Sequence, residues 1–392
     1  MNAADALSPN RQRRLIVIAT HPIQYYAPLY RLLAERSVVD LLVVYLSDAG
    51  AAAHVDADFG RTVSWGLPLL DGYPYTVLQP GTAITSRGFW ARYDGGLIPT
   101  LERLSPDWVL IYGYASRMNW AALTWARRRG VKVAYASDSN IYDPKRSIIQ
   151  PVKHLIVRSF FRQVHAFLSP SEANATYLRK FGAPSERIHR LPFAVDVGRF
   201  QQNAPAAGVK RPFDFIWAGK FIPLKRAGDF LAALERVSQV AGRPIRALIA
   251  GDGSLRGQLT AQARSLPSTC QVEFVGFVNQ TAMPSVLQAG SILVFTSDRE
   301  GYGLIATEAA AAGLALVVSD RIGCVGSTVL ARPGVNALTY RAGDVEGLAT
   351  AMARLLAEPD LRARMQEASF AISREHDLDH AAQVIEGVLV RG

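Results

Sequence analysis

Short apolar, β-branched runs alternate with segments of helical period along most of the chain, the pattern imposed by parallel sheets with covering helices. In the first half these runs predict strands at Leu15–Ala19, Val39–Tyr45, Trp108–Tyr112, Val131–Ala136 and Ala166–Leu168. Helical spacing predicts helices near Gln24–Glu35, Trp90–Leu104, Met118–Arg129, Arg146–Gln163 and Glu172–Phe181. Gly130, Gly182 and Gly290 fall where helix C-caps are expected. Residues 201–212 lose all apolar period and are rich in Pro and small side chains, which reads as a linker. Beyond them the alternation restarts, with strands at Phe213–Ala218, Ile245–Ala250, Val272–Gly276, Ile292–Phe295 and Ala315–Val318. The expected architecture is α/β: two doubly wound, Rossmann-like domains, residues 1–200 and 213–375, facing each other across a cleft. A last helix, about 376–392, is placed to pack back on the first domain.

Length and composition agree with this division. At 392 residues the chain exceeds the size at which one core stops growing. Its 49% hydrophobic and 19% charged residues belong to a globular protein rather than a disordered one. No apolar run approaches the roughly 18 to 20 residues that span a bilayer. Arg11, Arg13 and Arg14 precede an apolar stretch that His21 and Pro22 cut short, below the about 7 to 15 residues of a signal peptide core. A disordered tail followed by a first strand is the expectation. Cys270 and Cys324 are too few for a disulfide framework or a cysteine zinc site, and fit a reducing cytoplasm.

The net charge of +10 is concentrated in the first half, where 24 Lys and Arg stand against 15 Asp and Glu. An anionic substrate, an anionic membrane surface or nucleic acid would each suit such a surplus. No zinc-finger spacing or RNA-binding aromatic signature accompanies it, so nucleic acid ranks last.

Ligands of doubly wound sheets bind beyond the carboxyl ends of the strands, and four such loops in the second half are informative. Gly219 and Lys220 follow the first strand, with Lys225 and Arg226 at a helix start, suiting either a diphosphate or plain solvation. Gly251-Asp252-Gly253 follows the second, as a ligand loop or a structural turn. Gly276-Phe277-Val278 follows the third, where backbone groups beside a ring could read a nucleobase edge or simply leave the sheet. In the fourth, Glu300-Gly301-Tyr302-Gly303 opens a helix running through Leu304 and Glu308 to Ala312. The two glycines leave its N-H groups open to an anion. Glu308 lies among small residues and either meets partners such as sugar hydroxyls or faces solvent.

The ordered motifs Gly-Lys-x4-Lys, Ala-Gly-Asp-Gly, Val-Gly-Phe-Val, Glu-Gly-Tyr-Gly-Leu-x3-Glu and Ala-x-Gly-Leu-Ala-Leu-Val-Val-Ser-Asp, over residues 213–356, resemble the donor domain of glycosyltransferase family four, of the GT-B fold. A looser similarity joins Ala19 through Arg31, with His21-Pro22-Ile23-Gln24-Tyr25-Tyr26, to members from bacterial polysaccharide clusters. The resemblance implies a retaining, metal-independent transfer from a nucleotide diphosphate sugar to a glycan or lipid-linked acceptor. Lys220 and Lys225 would hold the diphosphate, Glu300 the hydroxyls of the transferred sugar, and Glu308 the ribose. The N-H groups of Tyr302, Gly303 and Leu304 would contact phosphate and sugar, and the backbone at Phe277 and Val278 the base. No cofactor is implied beyond the donor, and no metal: Asp56-Ala57-Asp58 and Asp377-Leu378-Asp379 spell the triplet of metal-dependent transferases, but neither follows a strong strand.

The first half departs from the family. A glycine pair is replaced by Thr20-His21-Pro22, and a His-Asp near the fifth strand by Ser137-Asp138-Ser139-Asn140. His21 and Asp138 either serve the acceptor or, for Asp138, cap the next turn. Tyr112-Gly113-Tyr114 to Arg117 lines the acceptor cleft or forms a surface loop. Between Lys145 and Val164, Arg146, Lys153, His154, Arg158 and Arg162 recur at helical spacing among apolar residues. That pattern fits a helix on the cytoplasmic face of an anionic membrane, or a helix packing its apolar face in the core. Two rival functions remain, a nucleotide-sugar epimerase on the same fold and a non-catalytic nucleotide-sugar binding protein.

Overall fold

The computed structural model describes residues 12–51, 54–56, 61–63, 66–82, 88–142 and 150–391. The first domain runs β1 (Arg13–Ala19), α1 (Ala27–Arg36), β2 (Val39–Tyr45), β3 (His54–Asp56), β4 (Arg61–Val63), β5 (Tyr75–Val77), α2 (Leu97–Leu104), β6 (Trp108–Tyr112), α3 (Arg117–Arg129), β7 (Lys132–Ala136), α4 (Gln150–Phe161), β8 (Ala166–Ser169), α5 (Glu172–Lys180) and β9 (Ile188–Arg190). Among the described residues these form a seven-stranded sheet in the order β5-β2-β1-β6-β7-β8-β9, every pairing parallel, with β3 and β4 as a separate antiparallel pair.

After α6 (Val197–Gln201) the second domain runs β10 (Phe213–Ala218), α7 (Ala227–Val240), β11 (Ile245–Ala250), α8 (Arg256–Arg264), β12 (Cys270–Gly276), α9 (Met283–Gln288), β13 (Gly290–Phe295), α10 (Leu304–Ala311), β14 (Ala315–Ser319), β15 (Ala337–Tyr340), α11 (Val345–Ala357) and α12 (Pro359–Ser373). Its six strands pair in parallel in the order β12-β11-β10-β13-β14-β15. The last helix, α13 (Leu378–Arg391), returns to the first domain.

Continuous apolar strands arise because both faces of each sheet are covered. On β1, Leu15 and Val17 enter one core with Leu33 of α1 and Ile385 and Leu389 of α13, whereas Ile16 and Ile18 enter the opposite core with residues of α2 and α3. Burial of each such side chain stabilises the fold by about 1.5–3 kcal/mol. Arg36 holds α13 in place through a two-pronged pair with Glu386, at 2.8 and 2.9 Å.

Several sequence expectations change. The helix expected from Trp90 begins only at Leu97, because Asp94 Oδ1 accepts the Gly96 N-H at 2.7 Å and competes with helical bonding. The helix expected from Gln24 begins at Ala27, after a turn in which the Ile23 carbonyl accepts from Tyr26 and Ala27, and Pro28 favours the first helical turn. Gly290 caps no helix: it starts β13, and a Cβ there would lie 2.0 Å from Ile216 Cγ1. The start of the helix expected from Arg146, with Lys145 and Ile149, lies outside the described residues, as do the N-terminal tail, Ala57 and Asp58.

The stretch 201–212 is anchored to the second domain. Arg211 is 5% exposed and donates to the carbonyls of Gly290, Ala312 and Gly313 at 2.9–3.0 Å and of Pro205 at 3.2 Å. Burial pushes its guanidinium down to about 10, which leaves it cationic at neutral pH. Replacement of Arg211 by Met is expected to cost about 3 kcal/mol of stability, read from the urea midpoint, because charge-assisted bonds are lost and buried carbonyls left unpaired.

Candidate functional site

The site forms where the strands of the second sheet end. Gly219 donates its N-H to the Ala250 carbonyl at 3.0 Å, and Gly251 to that of Gly276 at 2.7 Å. Gly251 has φ +146°, and a Cβ there would stand 1.9 Å from the Gly219 carbonyl oxygen. The close approach these glycines permit is therefore between the two loops themselves. Lys220, Phe277 and Val278 are half-buried around this junction, with Val278 packed on the domain core.

Lys225 closes a short 3-10 turn from Pro223. The turn is stitched to the loop after β13: the Lys225 carbonyl accepts from Thr296 Oγ1 at 2.7 Å and that of Leu224 from the Asp298 N-H at 2.9 Å. Thr296 Oγ1 also accepts from Trp217 Nε1 at 2.9 Å. This stitching brings the Lys225 ammonium onto Glu300 Oε1, where Ser297 Oγ donates at 2.7 Å. Lys225 Nζ also lies 5.8 Å from the centre of the Phe295 ring. Both side chains keep part of their surface open, 21% for Lys225 and 16% for Glu300.

Helix α10 starts directly after this pair. Gly303 takes φ +100°, and a Cβ there would strike Phe295 and Ile322. Leu304 opens the helix, with its first N-H groups at the same loop. Tyr302 turns its ring away from the loop: its hydroxyl meets His376 Nδ1 at 3.0 Å, just before α13, and its ring meets Phe193 edge-on at 5.1 Å. Burial, with Arg190 and Arg332 nearby, pushes His376 down to about 3.

Glu308 does not face solvent; it is 1% exposed. Its Oε1 accepts from Gln280 Nε2 at 3.1 Å, and the same amide nitrogen reaches the Tyr25 hydroxyl at 3.2 Å. Gln280 Oε1 accepts from Arg199 at 2.9 Å. Burial raises the Glu308 carboxyl to about 7, against the lowering effects of Gln280, Arg199 and Tyr25.

The first domain supplies the facing wall. Asp138 lies against the loop from Glu300 to Gly303, for a Cβ on Gly301 would come within 2.6 Å of its Oδ2. The low-dielectric walls around it, and then the charge of Glu300, raise the Asp138 carboxyl above its ordinary range, although the residue keeps an exposed edge. His21 Nδ1 meets its neighbour Thr20 Oγ1 at 2.9 Å. Asn140 reaches across to the Glu300 and Gly301 carbonyls, at 2.7 and 3.1 Å. Beside Asp138 a narrow cavity of about 20 Å³ is lined by Tyr25, Tyr26, Tyr112, Ser137, Pro170 and Phe193, among others. The segment after β6 thus divides: Tyr112 lines this cavity, Tyr114 bonds Tyr177 at 2.9 Å, and Arg117 stacks outward on Tyr93 and Trp90.

The sequence points to Lys225, Glu300, Glu308 and Asp138 but gives no sign of Tyr25, Gln280, Arg199 and Asn140 as their partners. The aspartate triplet at α13 is engaged structurally, with Asp377 Oδ1 accepting the Leu378 N-H at 2.7 Å and Asp379 paired with Arg36 at 3.2 Å.

Two facing parallel-sheet domains with a charged pair at the mouth of one of them place the molecule in the GT-B class. Residues 21–194 match the family described as "Glycosyl transferase 4-like domain" and residues 200–371 the one described as "Glycosyl transferases group 1". The chain belongs to glycosyltransferase family four. It is 30% identical over 223 residues to the glycogen synthase of Mycobacterium tuberculosis, covering 53% of this chain and 52% of that protein. It is 27% identical over 290 residues to the 2-deoxystreptamine glucosyltransferase of Streptomyces kanamyceticus, covering 67% and 72%. The chain spans about half the length of the first curated relatives it matches. The fold is similar to that of Anabaena HepE solved with UDP and glucose, with a TM-score of 0.69, 16% identity and coverage of 97% and 100%. The lipopolysaccharide glycosyltransferase WaaG is also similar, at TM-score 0.64, 14% identity and coverage of 96% and 100%.

The pH response of Glu308 follows from its raised carboxyl. Between its ordinary value of 4.5 and about 7 the folded chain holds a proton that the unfolded chain has lost, so this contribution to stability is present at low pH and disappears as pH rises through 7. Glu308→Gln is therefore expected to gain stability relative to the wild type as pH rises from 4.5 to 8.5, by up to about 3 kcal/mol, measured by thermal unfolding along a pH series. A difference independent of pH would mean that the carboxyl is not perturbed.

Proposed function

We propose that this protein transfers a sugar from a nucleotide diphosphate sugar to a glycan or lipid-linked acceptor, with retention of configuration and without a metal ion. The observation that carries the reading is the Lys225 and Glu300 pair, held half-open at the start of α10. The ammonium has further N-H groups for a phosphate, and the carboxylate further lone pairs for sugar hydroxyls. Similarity of fold to HepE, which was solved with UDP and glucose, supports the donor class.

In this reading the bond from the anomeric carbon to the diphosphate oxygen breaks and its electron pair leaves with the diphosphate. Lys220, Lys225 and the N-H groups opening α10 stabilise that charge, each such donor contributing about 3 kcal/mol to the lowering of the barrier. The acceptor hydroxyl attacks the same face of the sugar and gives its proton to the departing phosphate oxygen. Asp138, opposite Gly301, orients the acceptor hydroxyl. Glu300 holds the transferred sugar, and Glu308 the ribose through its network with Gln280. Bacterial envelope or exopolysaccharide synthesis is the setting that the polysaccharide-type opening sequence favours.

Lys225→Ala and Glu300→Ala are each expected to lower turnover at least about a hundredfold with the fold retained, measured with a panel of UDP-, GDP- and ADP-sugars. Turnover is expected to persist in chelator; a requirement for manganese or magnesium would refute the metal-free mechanism. Conversion of the donor alone into an epimer would replace transfer by isomerisation.

Attachment to an anionic membrane on the cytoplasmic side belongs to the same proposal. Helix α4 buries Val157, Phe160 and Phe161 in the core but leaves Val152, Leu155 and Ile156 exposed, the last two at 68% and 47%, with Arg158 and Arg162 exposed beside them. Among the described residues no helix is long and apolar enough to cross a membrane. Apolar side chains flanked by arginines suit the surface of an anionic bilayer. The protein is expected to float with vesicles containing anionic lipid at low salt, and Leu155→Glu with Ile156→Glu to abolish flotation. Equal flotation of the double variant would refute this surface.

A further inference from the structure

One helix of the first domain holds the donor loop of the second at two points. Helix α5 is capped by Ser171, which accepts the Asn174 N-H at 3.0 Å. Asn174 is fully buried and donates to the Ser139 carbonyl at 2.6 Å and the Ser137 carbonyl at 3.1 Å, which sets the loop that follows β7. On that loop Asn140 accepts the Tyr142 N-H through Oδ1 at 3.0 Å. The amide orientation is thereby fixed, and Nδ2 is turned to the carbonyls of Glu300 and Gly301 across the cleft.

The second grip starts from the first turn of α5. Glu172 Oε1 accepts from the Thr328 N-H and Oγ1, both at 2.7 Å, and from Ser327 Oγ at 3.2 Å. Arg190 donates to Thr328 Oγ1 at 2.8 Å. Gly326 lets the chain pass, because a Cβ there would come within 2.8 Å of Glu172 Cδ.

The gripped segments are a single body. The Glu300 N-H donates to the Arg321 carbonyl at 3.1 Å and the Cys324 N-H to that of Tyr302 at 3.0 Å. Gly323 leaves no room beside Gly301, whose carbonyl oxygen would be 1.9 Å from a Cβ. Movement of α5 away from the cleft would therefore release both sides of the segment that carries Glu300.

We propose that Asn140 is a positioning residue that couples cleft closure to the direction of Glu300, so that the sugar is held for transfer only when α5 is docked. This rests on the reading of Glu300 as the residue that holds the transferred sugar. The diphosphate contacts stay independent of the grip, because Lys220, Lys225 and the start of α10 all belong to the second domain, and the Glu308 network of Gln280, Tyr25 and Arg199 includes neither Asn140 nor Glu172.

The test compares the wild type with Asn140→Asp, which keeps the size but turns an oxygen on the two carbonyls, and with Glu172→Gln, which weakens the second grip without touching Glu300. Asn140→Asp is expected to lose turnover by about a hundredfold, the scale of a misplacement of roughly 1 Å. Its donor KM and its affinity for nucleoside diphosphate, by calorimetry, are expected to stay close to wild type. Both variants are expected to scatter X-rays with a larger radius of gyration. Unchanged turnover in Asn140→Asp, or a loss of nucleotide affinity in proportion to turnover, overturns the proposal. Should the wild type bind nucleotide yet transfer no sugar, the fault lies with the proposed activity, and scattering still decides: unchanged radii in both variants overturn the coupling.

Discussion

The packing of α13 on the first sheet is the constraint on which the molecule depends. Strands β1, β6, β7 and β8 present Leu15, Leu110, Ala134 and Leu168 on one face, and Ile385, Val388 and Leu389 cover them. The cover comes from the far end of the chain, so the polypeptide must cross between the domains twice. The second crossing passes His376, which burial keeps neutral and whose Nδ1 is bonded to the Tyr302 hydroxyl. The hinge is thereby tied to the residue two places after Glu300, and the core of one domain helps to shape the ligand loop of the other.

Within that frame the charged groups are arranged in two tiers. Lys225 and Glu300 form a half-open pair able to take on further partners. Glu308 sits deeper, in a closed network of Gln280, Tyr25 and Arg199 that spans both domains and the connection between them. An open pair costs little to rearrange around a ligand, whereas a buried carboxylate without partners would be costly. The difference explains why the first tier carries a short stitched turn and the second a chain of side-chain bonds.

The two-domain α/β architecture was legible because strands buried on both faces appear as continuous apolar runs, and β2, β6, β10 and β11 fall where those runs predict. The short strands β5, β9 and β15 were not, since three or four residues at a sheet edge carry too little pattern. In the site, the loops after β10, β11, β12 and β13 were legible because each lies next to its own strand. Their partners were not: Asn140 and Glu300 are 160 positions apart and Tyr25 and Gln280 are 255 apart, and a single sequence holds no record of such pairings. For Glu308 the small-residue helix left open whether the carboxylate meets partners or faces solvent; it is buried, and the chain's own glutamine is one of its partners.

Gly301 has a mechanical meaning apart from its place before a helix. With only hydrogens at this position, the loop approaches the Asp138 carboxyl more closely than any side chain would allow. The width of the gap between the domains at full approach is thus set by the absence of one carbon atom. A methyl group there would act as a spacer and hold the two walls of the cleft farther apart.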